Sequence, residues 1–214
     1  NSVMMFDALG YAEDHPHRAI ARKSVENLLV IKDDEIYCQP CVSPVWDTAL
    51  AAHAMLEVGS DEAVERAHKA LDWLRPLQVT EVAGDWADQR PDVASGGWAF
   101  QYRNDHYPDL DDTAVVAMAM DRVQAGSHAH GFDASLRRAR EWVLGLQSKN
   151  GGWAAFDADN TYSYLNNIPF SDHGALLDPP TEDVTARCIS MLAQLPRDEQ
   201  GDRAIESGIE YLRK

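Results

Sequence analysis

Three aspartates stand close together at Asp109, Asp111 and Asp112, directly before the apolar run 114–120. An Asp at a helix start commonly caps the helix, because its side chain accepts hydrogen bonds from the unpaired first-turn amides. A single cap does not need three carboxylates. Carboxylates this close also resist simultaneous ionisation once water is excluded, so one of them can keep its proton. The cluster is a candidate acid, and the alternative is a cap with two solvated acids.

Apolar periodicity predicts helices on both sides of this cluster, and β-strand alternation is almost absent, so we expect an all-α fold. Some segments are apolar nearly all round and should be buried, whereas others are amphipathic. The predicted apolar helices are 43–58, 111–123 and 181–195. The predicted amphipathic helices are 18–31, 61–78, 134–147 and the end of the chain. Pro76 should end or bend the helix that contains it.

Two sets of residues recur along the chain and indicate an internal repeat. Trp73, Trp142 and Tyr211 recur at equal intervals, and Gln78 and Gln147 recur at that same interval. A Gly-x-Trp element follows each Gln, assigned as Gly84-Asp-Trp86 and Gly151-Gly-Trp153. The starts of the apolar helices are marked by Asp47, Asp112 and Asp183. Each repeat is therefore predicted to be a buried helix opening with Asp, followed by an amphipathic helix closing with Gln and Gly-x-Trp.

Helical hairpins of this kind stack into a curved double layer, either a solenoid or a closed α/α barrel. The inner helices then start at one end, where Asp47, Asp112 and Asp183 should converge beside Asp109 and Asp111. Such a cluster could ligate a metal, form a structural network or tune one carboxyl as a strong acid. The Asp-Asp-x-x-Asp spacing of enzymes that ionise diphosphates through magnesium is absent.

One cation belongs to the predicted cluster. Arg187 lies four residues after Asp183, hence on the same helix face. It could stabilise the anion that remains when a crowded carboxyl releases its proton. This combination favours the third option, a general acid for a very weak base.

Aromatic side chains lie next to the repeat starts or in the connections between repeats. Their faces stabilise cations without offering a nucleophile that would quench a carbocation. The candidates are Trp46, Trp98, Phe100, Phe156 and Phe170.

The composition excludes several classes of function. A net charge of −16 argues against a nucleic-acid partner and gives no electrostatic reason to bind an anionic membrane surface. No apolar segment is long enough to span a bilayer. Cys38 and Cys41 have metal or redox spacing, but a second pair is lacking. We therefore expect no metal or redox site at these cysteines, and a cytoplasmic chain or the soluble part of something larger.

The motifs resemble one family. Asp109-Leu-Asp-Asp112 is similar to the Asp-x-Asp-Asp motif of class II terpene cyclases, and Gln…Gly-x-Trp resembles the QW repeats of triterpene cyclases. Segments 43–48, 96–101, 166–170 and 178–186 resemble bacterial squalene–hopene cyclases. The resemblance implies an α/α toroid, squalene as substrate, hopene or hopanol as product, and no metal or organic cofactor. The QW elements would brace the outer helix layer.

By this resemblance Asp111 is the acid that protonates the terminal double bond of squalene. Asp109 and Asp112 flank it, and Asp47 and Asp183 belong to a supporting carboxylate network. Arg187 stands where some relatives carry the His that pairs with the acid. The residues implied to bind substrate are Trp46, Trp98, Phe100, Phe156 and Phe170. His173 stands where some relatives carry an aromatic, so it is not counted with them.

The resemblance also implies a domain organisation. Residues 1–40 would end a preceding α/α barrel domain with its linker, and 41–214 would form the first part of the catalytic barrel, here incomplete. Squalene and the rest of the cyclase chain are the expected partners. The complete enzyme is expected to be a homodimer on the cytoplasmic side of a membrane, held by parts outside this soluble segment. A diterpene cyclase acting on a prenyl diphosphate and a non-catalytic binding toroid are the alternatives.

Overall fold

The computed structural model describes residues 2–38, 42–127, 131–168 and 176–214. The chain separates into two compact units, residues 1–42 and 43–214. The division lies close to the predicted domain boundary at 40/41. The assignment of the first unit to a preceding barrel domain stays a prediction.

The first unit contains helices and one small antiparallel hairpin. Its elements are α1 (Ser2–Ala8), α2 (Pro16–Glu26), β1 (Leu29–Ile31) and β2 (Ile36–Cys38). The predicted helix 18–31 is wrong at its end, because α2 stops at Glu26 and the following apolar residues form β1. Val30 pairs with Tyr37 and Ile31 with Ile36 across the hairpin. A short apolar run with β-branched residues suits a strand as well as a helix, so its period alone does not decide between them.

The second unit is built from helical hairpins. Its elements are α3 (Pro44–Val58), α4 (Asp61–Leu74), α5 (Trp86–Gln89), α6 (Leu110–Ser127), α7 (Asp133–Gly145), α8 (Glu182–Gln194) and α9 (Glu199–Leu212). Helix α6 contacts both α3 and α8; α4 packs on α3 and α6, α7 packs on α6, and α9 packs on α8. This alternation of inner and outer helices is the arrangement expected of an α/α toroid. None of the described helices is both long and apolar enough to cross a membrane.

The inner helices differ in how completely they are covered. Helix α6 is enclosed on nearly all sides, as its uniformly apolar sequence predicts, with Ala114, Val116 and Met120 fully buried. Helix α3 was predicted to be enclosed as well, but Leu50 and Val58 on it are 44% and 73% exposed. Within the described residues, α3 therefore has one covered face and one open face.

The predicted helix 61–78 ends early, at the place where Pro76 was expected to end or bend it. Helix α4 stops at Leu74, and Pro76 lies in a short 3₁₀ turn, Arg75–Leu77. The 3₁₀ turn ends at the recurring Gln78, whose amide Nε2 donates to the carbonyl of Gly96 at 2.7 Å and to that of Ser135 in α7 at 2.9 Å. The end of one outer helix is thereby tied to the start of the next, which is the brace implied by the resemblance.

Gln147 makes the same connection one repeat later. Its Nε2 donates to the carbonyl of Gly151 at 2.8 Å and to that of Ala204 in α9 at 2.9 Å. Because Gln78 and Gln147 bond to Gly96 and Gly151 respectively, Gly96 is the structural equivalent of Gly151. The predicted pairing of Gly84-Asp-Trp86 with Gly151-Gly-Trp153 is therefore wrong.

The equivalent elements are Gly96-Gly-Trp98 and Gly151-Gly-Trp153. Their indole Nε1 atoms donate to carbonyls near the ends of α4 and α7, from Trp98 to Leu74 and from Trp153 to Val143, each at 2.8 Å. A Cβ on Gly97 would lie 2.6 Å from the Trp142 ring, so only glycine allows that ring to pack so closely. Residues 79–95, with α5, are an insertion between Gln78 and its Gly-Gly-Trp element.

Candidate active site

The acidic motif is fixed in space by its own backbone and by the preceding Gly-Gly-Trp element. The N–H of Asp109 donates to the carbonyl of Trp98 at 2.9 Å. The hydroxyl of Thr113 accepts from the N–H of Trp98 at 2.9 Å and donates to the carbonyl of Asp109 at 2.6 Å. The N–H of Leu110 bonds to the carbonyl of Ala155 at 2.8 Å, in the next repeat. Two successive repeats therefore hold the start of α6.

Asp109 is the cap of α6, but capping uses only half of its carboxyl group. Its Oδ1 accepts from the N–H of Asp112 at 2.8 Å. Its Oδ2 and Oδ1 of Asp112 are both buried and, when both groups are ionised, have no hydrogen-bond donor within the described residues; a retained proton lets one carboxyl donate to the other. Side-chain oxygens without partners are expensive to bury as anions. The two carboxyl groups are therefore placed where at least one proton is retained.

The pKa values of this pair agree with that conclusion. Burial, followed by the neighbouring charge of Asp112, raises the pKa of Asp109 to about 9. Burial is also the largest cause of the rise in the pKa of Asp112 to about 7; the hydrogen bond with Asp109 and the charge of Arg187 act in the opposite direction. We conclude that the pair holds a proton at neutral pH.

Asp111 and Arg187 form an ion pair next to this protonated pair. Nη1 of Arg187 lies 2.5 Å from Oδ1 of Asp111, and the two side chains are 31% and 29% exposed. The contact has the distance of an ion pair, although it lacks the alignment of a hydrogen bond. The Cζ atom of Arg187 lies 5.2 Å from the centre of the Trp46 ring. The first turns of α3 and α6 and the second turn of α8 thus meet at one guanidinium group.

A cavity of about 470 Å³ opens in front of these carboxyl groups. Its floor is acidic and much of its wall is aromatic or polar. It is lined by Trp46, Phe100, Gln101, Asn104, Tyr107, Asp109, Asp111, Asp112, Ala155 and Phe156.

The family follows from a comparison of the whole sequence. A family model described as the squalene-hopene cyclase C-terminal domain matches residues 42–214. The chain belongs to the squalene-hopene cyclase family. The matched region includes the acidic motif, both Gly-Gly-Trp elements and Arg187.

Individual relatives agree with the family model. The squalene–hopene cyclase of Bradyrhizobium diazoefficiens is 63% identical over 214 residues, which is 100% of this chain and 32% of the relative. The Zymomonas mobilis enzyme of the same name is 62% identical over 100% of this chain and 33% of its own length. The squalene–hopene cyclase of Alicyclobacillus acidocaldarius is 43% identical over 82% of this chain and 27% of its own length. The chain spans about a third of the length of such squalene–hopene cyclases.

Asp47 and Asp183, which were predicted to support the acidic cluster, do not line the cavity. Asp47 is exposed and accepts a hydrogen bond from the hydroxyl of Ser43 at 2.7 Å. Its charge contributes to the raised pKa of Asp112. Asp183 is exposed too, and hydrogen bonds from Thr181 and from backbone N–H groups lower its pKa, with a smaller contribution from Arg187. Both are therefore connected to the centre through charge.

The predicted equivalence of Asp47, Asp112 and Asp183 needs a correction of one residue. The hydroxyls of Thr113 and Thr185 accept from Trp98 and Trp153 in the same way, at 2.9 Å each. Asp183 stands two residues before its Thr, as Asp111 does, whereas Asp112 stands one before. Asp183 is consequently the counterpart of Asp111, and Val184 that of Asp112. The shift arises because the sequence pattern Asp-Val-Thr-Ala contains one residue more than Asp-Thr-Ala.

The aromatic candidates divide into three groups. Trp46, Phe100 and Phe156 line the cavity. Phe100 and Phe156 are 37% and 40% exposed, and the N–H of Phe156 donates to the carboxylate of Asp178 at 2.6 Å. Trp98 lies in the core with no exposed surface, so its ring does not face the cavity. Its predicted contact with substrate is therefore replaced by the structural role of the Gly-Gly-Trp element. Phe170 lies outside the described residues, as does His173.

Several cavity residues were not among the predicted site residues. They are Gln101, Asn104, Tyr107 and Ala155. Tyr107 and Gln101 stand only a few positions from the acidic motif and from Phe100, so proximity in sequence was a usable signal for them. Within the described part of the chain, no His, Cys, Asp and Glu side chains are grouped in a way that could hold a metal ion.

Proposed function

We propose that this chain is part of an enzyme that protonates the terminal double bond of squalene and so starts its polycyclisation to hopene or hopanol. The observation that carries the proposal is the union, in one cavity, of carboxyl groups that hold a proton at neutral pH with aromatic side chains. The family membership and the names of the relatives supply the substrate and the product.

Asp111 is the proposed donor, because it faces the cavity and lies beside the protonated Asp109–Asp112 pair, from which it takes up the proton that it passes on. Its proton moves to the CH carbon of the terminal double bond, where the π electrons form the new C–H bond and leave a tertiary carbocation on the dimethyl-bearing carbon. The carboxylate that remains is stabilised by Arg187 at 2.5 Å. Preorganised charge of this kind favours the transition state without reorganisation of solvent.

Asp109 and Asp112 are proposed to keep a proton beside the donor. A buried carboxyl that stays neutral adds no second negative charge next to Asp111, and its O–H group can donate a hydrogen bond. Both effects make the anion of Asp111 easier to form. Asp47 adds negative charge from the outside and thereby helps the inner pair to retain its proton.

The carbocation needs neighbours that stabilise it without capturing it. Phe100 and Phe156 line the same cavity as the acids. Each aromatic face contributes about 0.5 to 2 kcal/mol of cation stabilisation. These two residues are the proposed cation-stabilising wall within the described part of the chain.

A prenyl diphosphate fits the same cavity less well. Its phosphates would have to enter beside Asp109, Asp111 and Asp112, and the guanidinium of Arg187 is already engaged with Asp111. A non-catalytic binding toroid gives no reason to bury carboxyl oxygens without partners. We also propose that the complete enzyme takes squalene from a membrane through parts outside this chain.

The proposal is tested by replacing Asp111 with Asn in the full-length protein. Loss of the acid should lower the rate of squalene cyclisation by at least about 100-fold, since general acid catalysis supplies about 10²- to 10⁴-fold. Products are quantified by mass spectrometry. The control Asp61→Asn changes an exposed carboxylate in the first turn of α4 and should leave the rate unchanged. Cyclisation retained in Asp111→Asn would refute the assignment.

A further inference from the structure

The indole of Trp46 forms one side of a three-part stack. The guanidinium of Arg187 lies over the Trp46 ring, with Cζ at 5.2 Å from the ring centre, and reaches Asp111 at 2.5 Å. We propose that Trp46 is a positioning residue, which holds the Arg187 guanidinium against Asp111 and so supports proton donation by Asp111. This inference rests on the proposed function of Asp111 as the acid.

The ion pair needs such support because it is partly open to water. The side chains of Arg187 and Asp111 are 31% and 29% exposed. Ion pairs with this exposure are weak, since water screens the charges and a long side chain must give up its rotamer freedom. A planar guanidinium stacks well on an aromatic face. The stack can shift the conformational equilibrium of Arg187 by about 2- to 30-fold.

Arg187 also has a second carboxylate within its own helix. Asp183 lies four residues earlier on α8, is exposed, and interacts with the charge of Arg187. The guanidinium can therefore turn outward towards Asp183 or inward towards Asp111. Only the inward orientation places it over Trp46. The indole thus favours the orientation that neutralises the anion of the acid.

The stack also assigns a different task to Trp46 from that of the other cavity aromatics. The face of the indole under Arg187 already bears a cation and would repel a carbocation. Within the described residues no cation lies over the ring of Phe100 or Phe156, and both rings line the same cavity. Cation stabilisation in this part of the cavity is therefore left to the two phenylalanines, while Trp46 acts through Arg187.

A double-mutant cycle on the full-length protein separates the two roles. Trp46→Leu should lower kcat for squalene by about 2- to 30-fold, with KM changed by less than about twofold. In an Arg187→Gln background the same replacement should change kcat by less than about twofold, because the guanidinium is gone. Trp46→Phe keeps an aromatic face and should recover part of the loss. The matched control is Trp73→Leu, since Trp73 is 40% exposed on α4 and does not line this cavity.

A second experiment keeps the shape of the side chain. Position 46 is occupied by tryptophans that carry an increasing number of fluorine atoms. Each fluorine makes the electrostatic potential of the ring face less negative, while the ring itself is kept. Under the proposal, kcat falls with each added fluorine when residue 187 is Arg. The dependence disappears in Arg187→Gln. This series covers the case in which Trp46→Leu fails to fold.

Three results would overturn the role of Trp46. These are equal losses of kcat in both Arg187 backgrounds, a loss confined to KM, or a dependence on fluorine that persists in Arg187→Gln. Each would mean that the indole contacts the substrate or the fold and does not act through Arg187. Failure of the underlying function would look different, because cyclisation would then survive in Asp111→Asn.

Discussion

The protonation of Asp109 in the folded protein can be measured through the pH dependence of stability. The unfolded chain ionises this carboxyl near its ordinary pKa of 3.8, whereas the folded chain holds the proton up to about pH 9. Stability contributed by the neutral carboxyl is therefore complete below about pH 3.8 and is lost as the pH rises towards 9. Asp109→Asn should remove this dependence, because an amide resembles the protonated carboxyl and can still accept from the N–H of Asp112.

The size of the effect follows from the shift. Each pH unit between the two pKa values costs about 1.4 kcal/mol of stability. Between about pH 5 and about pH 8 the wild-type protein should lose about 4 kcal/mol through Asp109. Over the same pH range, the free energy of local opening of α6 should fall by about 4 kcal/mol more in the wild-type protein than in Asp109→Asn. This effect arises in the folded state, because only there is the ionised carboxyl buried without a donor for Oδ2.

Hydrogen exchange of α6 amides in the full-length protein is the assay, because it reports the opening of this helix separately from the rest. Rates are corrected for the intrinsic effect of pH on exchange. Asp198→Asn is the matched control. Asp198 also caps a helix, accepting from the N–H of Gly201 at 2.7 Å, but that bond lowers its pKa. Over the same pH range the control should leave the pH dependence of α9 unchanged. An unchanged pH dependence of α6 in Asp109→Asn would show that Asp109 is ionised in the fold.

Three further replacements test the brace, the close packing and the cavity wall. Gln147→Ala should lower the free energy of unfolding by about 2 to 4 kcal/mol, because the carbonyls of Gly151 and Ala204 both lose their donor. Gly97→Ala should cost about 1 to 3 kcal/mol, since a Cβ would lie 2.6 Å from the Trp142 ring. Thermal unfolding measures both. Phe100→Leu should lower kcat for squalene by about 2- to 30-fold, because leucine keeps bulk but has no π face; steady-state kinetics measure this.

The contrary results are equally specific. An unchanged unfolding midpoint in Gln147→Ala would mean that water replaces the brace without loss. A neutral Gly97→Ala would show that the Trp142 ring has room to move. An unchanged kcat in Phe100→Leu would exclude this ring from cation stabilisation.

The helices of the second unit could be predicted because their apolar periods are long. Each of the predicted segments 43–58, 61–78, 111–123, 134–147 and 181–195 contains or overlaps one observed α-helix. Pro76 also marked the end of α4 correctly. The β1–β2 hairpin could not be predicted in this way, because the run that forms β1 has only three residues and strand pairing is decided by its partner.

The repeat was recognised, but its register was wrong in two places. Gly84-Asp-Trp86 matched the Gly-x-Trp pattern at a spacing close to that after Gln147, while the insertion 79–95 had moved the true element to Gly96. The better sequence signal was the identity of Gly96-Gly-Trp98 with Gly151-Gly-Trp153. A fixed spacing after Gln was a weaker guide, because loops tolerate insertions at small cost in free energy.

The acidic centre could be predicted to a considerable extent. Asp109, Asp111, Asp112 and Arg187 do come together, since residue type and helix phase already placed them at helix starts. Residue types and spacing did not divide the roles among them, and Asp111 was assigned as the acid only by the family resemblance. The division depends on which oxygens are buried, and only the fold shows that Asp109 and Asp112 are enclosed while Asp111 keeps an open side.

Cyclisation of squalene in deuterium oxide tests the central claim most directly. The carboxyl protons of the acidic centre exchange with solvent, so a full-length enzyme equilibrated in deuterium oxide should transfer one deuterium to the CH carbon of the terminal double bond of squalene. Mass spectrometry of the product should then show a single added deuterium at that end of the skeleton, and Asp111→Asn should form almost no such product. A cyclised product without deuterium at that carbon would contradict initiation by an exchangeable acid.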